Sequence, residues 1–125
     1  MGVPHVRILI ADDSRVMRQI VSRTLRQAGY DGHDLVEVAD GKQLYDAAVA
    51  QPPDLVLSDW NMPEMNGLEA LVAIRAAGIK APFGFVTTEG SPEMRKKAVD
   101  AGAMFLITKP FTAESFRDVL DPILR

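Results

Sequence analysis

The sequence predicts an α/β domain in which a five-stranded parallel sheet is covered by helices on both faces, the doubly wound arrangement. Two observations carry this prediction: five short apolar runs occur along the chain, and a segment with helical periodicity follows each of them. Neighbouring parallel strands need helical crossovers, so regular alternation of strand and helix favours a parallel sheet. With 125 residues, 47% of them hydrophobic, the chain has the size and apolar content of one domain.

The apolar runs are short enough to be buried strands, at residues 6–11, 35–39, 55–58, 83–87 and 104–108. The first helix has the clearest buried face, because its apolar side chains keep an i, i+3, i+4 spacing until Gly29 ends the pattern. Further helices are predicted at residues 42–50, 68–77, 92–101 and 113–124. Ser91 and Thr112 are the expected N-caps of the last two, with Pro92 at a first helical position.

Polar residues stand where four of the predicted strands end. Asp12 and Asp13 follow the first strand, Asp59 follows the third, Thr87 ends the fourth and Lys109 follows the fifth. In an open parallel sheet the carboxyl ends of the strands meet at one edge, where ligands bind at the switch point of the strand order. We therefore expect these five side chains to converge.

Three carboxylates and one ammonium give this group a formal charge of −2 (three negative, one positive) when all four are ionised. A divalent cation with oxygen ligands neutralises such a cluster, and Mg2+ suits a site that must also accept phosphate oxygens. Asp59 is then a candidate nucleophile for a phosphoryl group, with Lys109 and Thr87 sharing the developing charge. The expected product is an aspartyl phosphate.

Each residue also has a simpler interpretation when it is taken alone. Asp12 and Asp13 are good helix caps, and Asp59 is a common kind of turn residue. Thr87 suits a strand by its β propensity alone, and Lys109 suits a solvated strand end. Only the joint pattern favours a reactive site.

Four motifs carry a resemblance to a known family: Asp12-Asp13-Ser14, the run from Asp59 to Gly67 (DWNMPEMNG), Thr87-Thr88-Glu89 and Lys109-Pro110-Phe111. In order and spacing they resemble a response-regulator receiver domain, most closely the single-domain chemotaxis regulators, over nearly the whole chain. The resemblance implies a flavodoxin-like (βα)5 fold with strand order 2-1-3-4-5. It also implies a cis peptide bond before Pro110.

The resemblance further implies a response regulator of a two-component phosphorelay, in which a histidine kinase passes a phosphoryl group to Asp59. Mg2+ is expected on Asp13, Asp59 and the backbone carbonyl of Asn61, and on Asp12 through water. Asn61 and Glu89 are the positions that tune hydrolysis in similar domains. The chain is therefore expected to catalyse only its own phosphorylation and dephosphorylation, and not to be an enzyme in the wider sense.

Signal output is implied on the face of the fourth helix, fifth strand and fifth helix, with the flagellar motor switch as the expected partner. Similar regulators carry Tyr or Phe at the switch position three residues before the lysine, whereas this chain has Leu106. Phe105 cannot simply substitute, because adjacent strand residues point to opposite faces. A phosphorelay shuttle or a receiver of another two-component pathway remains an alternative.

Other function classes fit the pattern less well. A phosphatase of the haloacid dehalogenase type wants its nucleophile after the first strand in an Asp-x-Asp pattern, where this chain has Asp12-Asp13. A flavodoxin-like flavin carrier needs a phosphate loop rich in Ser and Thr at the same place, where the two carboxylates repel phosphate.

Composition excludes further classes. A net charge of −3 provides no cationic field for nucleic acid, and no apolar run approaches the roughly 20 residues that span a membrane. The chain has no cysteine, and residues 1–7 show no export or lipid signal, with Val6 where a myristoylation signal needs Ser or Thr. We expect a cytoplasmic monomer that forms a single receiver domain over residues 1–125, with no output domain.

Overall fold

A computed structural model of the chain describes residues 6–30 and 32–124, so most of the N-terminal segment on which the signal expectation rests, residues 1–5, lies outside the described residues. The strands are β1 (Arg7–Ala11), β2 (Asp34–Val38), β3 (Leu55–Ser58), β4 (Phe83–Thr87) and β5 (Phe105–Thr108). The helices are α1 (Arg15–Leu25), α2 (Gly41–Ala50), α3 (Gly67–Ala76), α4 (Pro92–Asp100) and α5 (Ala113–Leu124). The predicted alternation is confirmed.

The strands form one parallel sheet in the order β2-β1-β3-β4-β5. The doubly wound flavodoxin-like fold is therefore confirmed. The strand order reverses between β1 and β3, and this switch point brings the end of β1 next to the end of β3. The order itself follows from the resemblance and not from the periodicity, because apolar spacing does not say which strands are neighbours.

The end of α1 differs from the prediction. The helix ends at Leu25, and Arg26–Tyr30 form a separate, wider helical turn. Gly29 has φ 101°, in the left-handed region that a residue without a Cβ enters at little cost. Gly29 thus lies inside this turn, where the backbone leaves the helical conformation, and does not end α1 itself.

Two cores lie on opposite faces of the sheet, because successive strand residues alternate between the faces. In β1, Leu9 and Ala11 belong to the core under α2, α3 and α4, whereas Ile8 and Ile10 belong to the core under α1 and α5. All four side chains are buried. Both faces are covered, as a parallel sheet requires.

The caps of the helices agree with local sequence chemistry. Ser91 Oγ accepts a hydrogen bond from Met94 N at 3.2 Å, and Thr112 Oγ1 accepts one from Ser115 N at 3.1 Å, so both predicted N-caps are confirmed. Ser14, and neither Asp12 nor Asp13, caps α1 through its contact with Met17 N. Among the described residues, no helix is long and apolar enough to cross a membrane.

Candidate functional site

Three carboxylates meet at the carboxyl edge of the sheet. Asp12 and Asp13 follow β1 and Asp59 follows β3, and one carboxylate oxygen from each lies within 4.8 Å of the other two. The neighbouring strands explain this convergence, and Asp59 N donates a hydrogen bond to Ala11 O at 2.8 Å. The structure thus brings the three predicted acidic residues together.

Lys109 joins two of these carboxylates. Its Nζ lies 3.0 Å from Asp12 Oδ2 and 3.3 Å from Asp59 Oδ2, with 11% of the side chain exposed. Its backbone N–H donates to Thr87 O at 2.8 Å, which fixes the start of the loop after β5. The Lys109–Pro110 peptide bond is cis, as the resemblance implied. Lys109 is therefore not the solvated strand end that its position alone allows.

Asp59 is held mainly by its neighbours in sequence and by its contact with Lys109. One carboxylate oxygen, Oδ1, accepts a hydrogen bond from Trp60 N at 2.7 Å, and the other faces the ammonium. The carbonyl oxygen of Asp59 accepts a hydrogen bond from Ser58 Oγ at 2.7 Å. With 14% of its side chain exposed, the carboxylate is oriented yet open to an incoming group.

Thr87 presents a buried hydroxyl without a partner. The residue is fully buried at the end of β4, and Oγ1 forms no hydrogen bond within the part of the chain that the structure describes. An unsatisfied buried hydroxyl costs roughly 1–3 kcal/mol, so it is rarely kept without a reason. Because β4 lies between β3 and β5, this donor stands between the strands that carry Asp59 and Lys109.

The acidic group fits a hard divalent cation. Lys109 contacts Asp12 and Asp59, whereas Asp13 is exposed and has no hydrogen-bond or ion-pair partner among residues 6–30 and 32–124. One ammonium cannot neutralise three carboxylates, and oxygen ligands of this type are those that Mg2+ prefers. Asp12, Asp13 and Asp59 are thus the side chains that could hold a metal ion.

Two other predicted site residues take no part in these contacts. The side chains of Asn61 and Glu89 are exposed, and within the described ranges neither forms a hydrogen bond. Each lies two residues beyond a residue of the group, Asp59 or Thr87. Both are placed beside the site and not within its hydrogen-bonded network.

Leu106 lies on the α4 side of β5. It is half-buried against the core under α2, α3 and α4, whereas Phe105 packs against the core under α1 and α5. A Cβ built on Gly84 would lie 2.1 Å from the Phe105 ring, so that ring occupies space which the glycine leaves free. Phe105 therefore faces away from Leu106 and does not replace an aromatic residue at that position.

One residue of the site was missed by the sequence reasoning. Arg18 in α1 donates from Nη1 to the carbonyl oxygen of Asp12 at 2.7 Å, and its Nε lies 3.2 Å from Glu37 Oε1. A signal was present, because Arg18 stands three residues before Val21 and seven before Leu25, on the buried stripe of α1. A cation on such a stripe needs a partner inside the protein.

Comparisons with known proteins agree with this geometry. The sequence model of the response regulator receiver domain matches residues 8–121. A chemotaxis protein CheY homologue of Campylobacter jejuni is 36% identical over 122 residues, which cover 95% of this chain and 92% of the relative. Chemotaxis protein CheY1 of Helicobacter pylori is also 36% identical, with 95% of this chain and 97% of the relative covered.

Solved structures show the same likeness. The structure of chemotaxis protein CheY4 of Vibrio cholerae superposes with a TM-score of 0.85 at 35% identity, covering 97% of this chain and 100% of the other. The carboxylates at the ends of β1 and β3, the lysine after β5 and the matched residues lead to one assignment. The chain belongs to the response regulator receiver domain family.

Proposed function

We propose that the chain is a phosphoryl acceptor of a two-component system, with Asp59 as the modified residue. The observation that carries the proposal is the arrangement around Asp59: a partly open carboxylate with an ammonium 3.3 Å away, next to a strand that ends in a buried hydroxyl without a partner. The donor is the phosphohistidine of a histidine kinase. The chain thus catalyses its own modification and acts on no separate substrate.

The reaction is a phosphoryl transfer. A carboxylate oxygen of Asp59 forms a bond to phosphorus while the P–N bond to the donor imidazole breaks, and the leaving imidazole takes up a proton. Asp13, Asp59 and the Asn61 carbonyl, with Asp12 acting through water, would hold Mg2+, which would supply a Lewis acid for the phosphoryl oxygens. Lys109 offers a point charge and Thr87 a hydroxyl donor to the same oxygens.

Hydrolysis returns the chain to its resting state. A water molecule attacks phosphorus, the bond between phosphorus and the Asp59 oxygen breaks, and inorganic phosphate leaves. Asn61 and Glu89 have exposed side chains next to the site, where they meet the approaching water. We assign to them the tuning of this step.

The cellular role that we propose is chemotaxis in the cytoplasm, supported by the relatives that are named chemotaxis proteins. Phosphorylation then changes the affinity of the face formed by α4, β5 and α5 for its partner, the flagellar motor switch. We propose a single receiver domain that binds neither nucleic acid nor membrane.

The test uses acetyl phosphate as a small phosphoryl donor with Mg2+, and intact-protein mass spectrometry as the measurement. We expect the native chain to gain one phosphoryl group that hydroxylamine removes, as it does from acyl phosphates. The Asp59→Asn variant keeps the shape of the side chain but loses the nucleophile, so it should gain none.

A matched control is Asp46→Asn, which removes a carboxylate that is 60% exposed on α2 and pairs with Lys42 at 3.5 Å. We expect this variant to be phosphorylated like the native chain. A native chain that gains no phosphoryl group, or an Asp59→Asn variant that gains as much, contradicts the proposal.

A further inference from the structure

Asp12 is bonded at each of its polar atoms. Its N–H donates to Val38 O at 3.2 Å, Oδ1 accepts from Ser14 N at 2.9 Å, and Oδ2 faces the Lys109 ammonium at 3.0 Å. The remaining atom, the carbonyl oxygen, accepts from Arg18 Nη1 at 2.7 Å. Of these four contacts, only the one from Arg18 joins a side chain to the Asp12 backbone.

The Asp12 carbonyl belongs to the peptide plane that joins Asp12 to Asp13. The Asp13 carboxylate has no partner of its own within the described ranges, so the backbone alone determines where it stands. A contact that orients this peptide plane therefore orients both carboxylates contributed by the loop after β1.

The guanidinium of Arg18 suits this task because its five N–H donors have fixed directions in one plane, so two of its nitrogens can contact different partners at once. Nη1 contacts the carbonyl, while Nε lies 3.2 Å from Glu37 Oε1 on β2. Only 15% of the Arg18 side chain is exposed, so water can replace these contacts poorly. Glu37 also offsets a positive charge that otherwise repels a cation at the neighbouring carboxylates.

We propose that Arg18 is a positioning residue for cation binding: it holds the peptide between Asp12 and Asp13, with Glu37 as its neutralising partner, and so raises the affinity of the site for Mg2+. The inference rests on the proposed function, which includes this cation. Arg18 touches neither the reacting atoms nor the cation, and it acts through the backbone of the loop.

A role of Arg18 through its charge and a role in positioning the loop predict opposite effects of its removal on Mg2+ affinity. If Arg18 acted only through its charge, its removal would reduce repulsion and strengthen Mg2+ binding. If it acts by position, its removal leaves the Asp12 carbonyl without its donor, the loop shifts and binding weakens. Arg18→Lys keeps the charge but cannot span both contacts, so it should weaken binding as well.

The experiment is a titration with MgCl2, followed by the fluorescence of Trp60. This is the single tryptophan of the chain, and it is 8% exposed. Its backbone N–H donates a hydrogen bond to Asp59 Oδ1. We expect Arg18→Met and Arg18→Lys each to raise the Mg2+ dissociation constant by about tenfold, at the lower end of the effect of outer ligand partners. Circular dichroism at the titration temperature verifies that each variant is folded.

Arg15→Met is the matched control, because it removes the same charge from the first residue of α1. Arg15 is exposed and forms no hydrogen bond or ion pair with the residues that the structure describes, so no loss of affinity is expected. An Arg18→Met variant that is folded and binds Mg2+ as tightly as the native chain, or more tightly, overturns the inference alone. A native chain whose fluorescence does not respond to Mg2+ overturns the proposed cation site, and this inference with it.

Discussion

Thr87 keeps a polar side-chain atom that has no partner among the residues that the structure describes. Its hydroxyl is buried at the edge of the sheet that carries Asp59 and Lys109, and the unmade hydrogen bond opposes folding. Residues at functional sites often give up stability in this way. The hydroxyl is available for the proposed phosphoryl group because no group within residues 6–30 and 32–124 uses it.

Replacing Thr87 by Val removes the hydroxyl and keeps the branched shape. We expect the free energy of unfolding to rise by about 1 kcal/mol, because the unsatisfied donor is gone. Urea denaturation measures this change, provided that the slope of the transition is the same as in the native chain. Phosphorylation by acetyl phosphate should slow at the same time, since one donor to the phosphoryl group is lost.

Ser22→Ala is the control for this prediction. Ser22 Oγ is the other buried side-chain oxygen without a partner in the described chain, and it lies within α1. Its removal should also stabilise the fold, yet it should leave the phosphorylation rate unchanged. A Thr87→Val variant that is less stable and is phosphorylated at the native rate contradicts the role given to the hydroxyl.

At the scale of elements, α3 begins in direct contact with the end of β3. Gly67 is the first residue of α3, and its N–H donates to Trp60 O at 2.7 Å. A Cβ at this position would lie 2.2 Å from the carbonyl oxygen of Asp59 and 2.9 Å from the Phe85 ring. Only a glycine allows the helix to start this close to Asp59, the proposed phosphoryl acceptor.

We expect Gly67→Ala to lower the free energy of unfolding by about 1–3 kcal/mol, the usual cost of forcing extra atoms into a packed region. The Asp59 backbone must shift to admit the Cβ, so phosphorylation by acetyl phosphate should slow. Denaturant unfolding and intact-protein mass spectrometry measure the two effects.

Gly32→Ala provides the matched comparison. A Cβ on Gly32 would meet nothing within 4 Å, and no left-handed backbone opposes the substitution. Its stability should stay within about 0.5 kcal/mol of the native value, with an unchanged phosphorylation rate. If Gly67→Ala and Gly32→Ala had the same free energy of unfolding and the same phosphorylation rate, a close approach of α3 to Asp59 would be contradicted.

At the scale of the whole molecule, the proposed function requires a connection between the site and the proposed output face of α4, β5 and α5. Leu106 stands at the position where the resemblance implies an aromatic residue, and Arg95 of α4 contacts the backbone on both sides of this region. Arg95 Nε donates to Gly90 O at 3.1 Å and its Nη1 donates to Leu106 O at 3.3 Å. α4, the loop before it and the edge strand β5 are thus tied together through backbone carbonyls.

Leu106→Tyr tests whether the side chain at this position transmits the signal. We expect the ratio of partner affinities with and without phosphorylation to rise severalfold. The reason is our hypothesis that Thr87 moves towards the phosphoryl group and that a tyrosine ring at position 106 then displaces α4 more than leucine does. A change of about 1.4 kcal/mol in coupling corresponds to a tenfold change in that ratio. Fluorescence anisotropy with the purified flagellar motor switch protein measures both affinities.

Phe105→Tyr is the control, since it adds a hydroxyl on the opposite face of the same strand. Its affinity ratio should equal the native one. If Leu106→Tyr also leaves the ratio unchanged, position 106 does not transmit the signal, and the backbone contacts of Arg95 become the better candidate.

Much of this fold could be predicted from the sequence because its signals are local. Apolar runs and helical spacing placed nearly every end of a strand or helix within one residue of the observed position, with the end of α1 as the exception. Once the strand ends were known, the convergence of Asp12, Asp13, Asp59, Thr87 and Lys109 at one edge followed from the parallel sheet. The prediction that Gly29 ends α1 was wrong, because the wide turn at Arg26–Tyr30, which contains Gly29, has no signature in the apolar spacing.

Contacts between distant parts of the chain were decided by the tertiary structure alone. Lys109 lies 97 residues from Asp12 in sequence, and no local pattern says that its ammonium lies between Asp12 and Asp59. The same holds for Arg18 with the Asp12 carbonyl and for the missing partner of Thr87. By itself the sequence determined the elements and which residues share the reactive edge, since periodicity and strand direction are properties of the chain. Tertiary packing decided which atoms meet there, because hydrogen-bond partners depend on positions in space that sequence spacing does not encode.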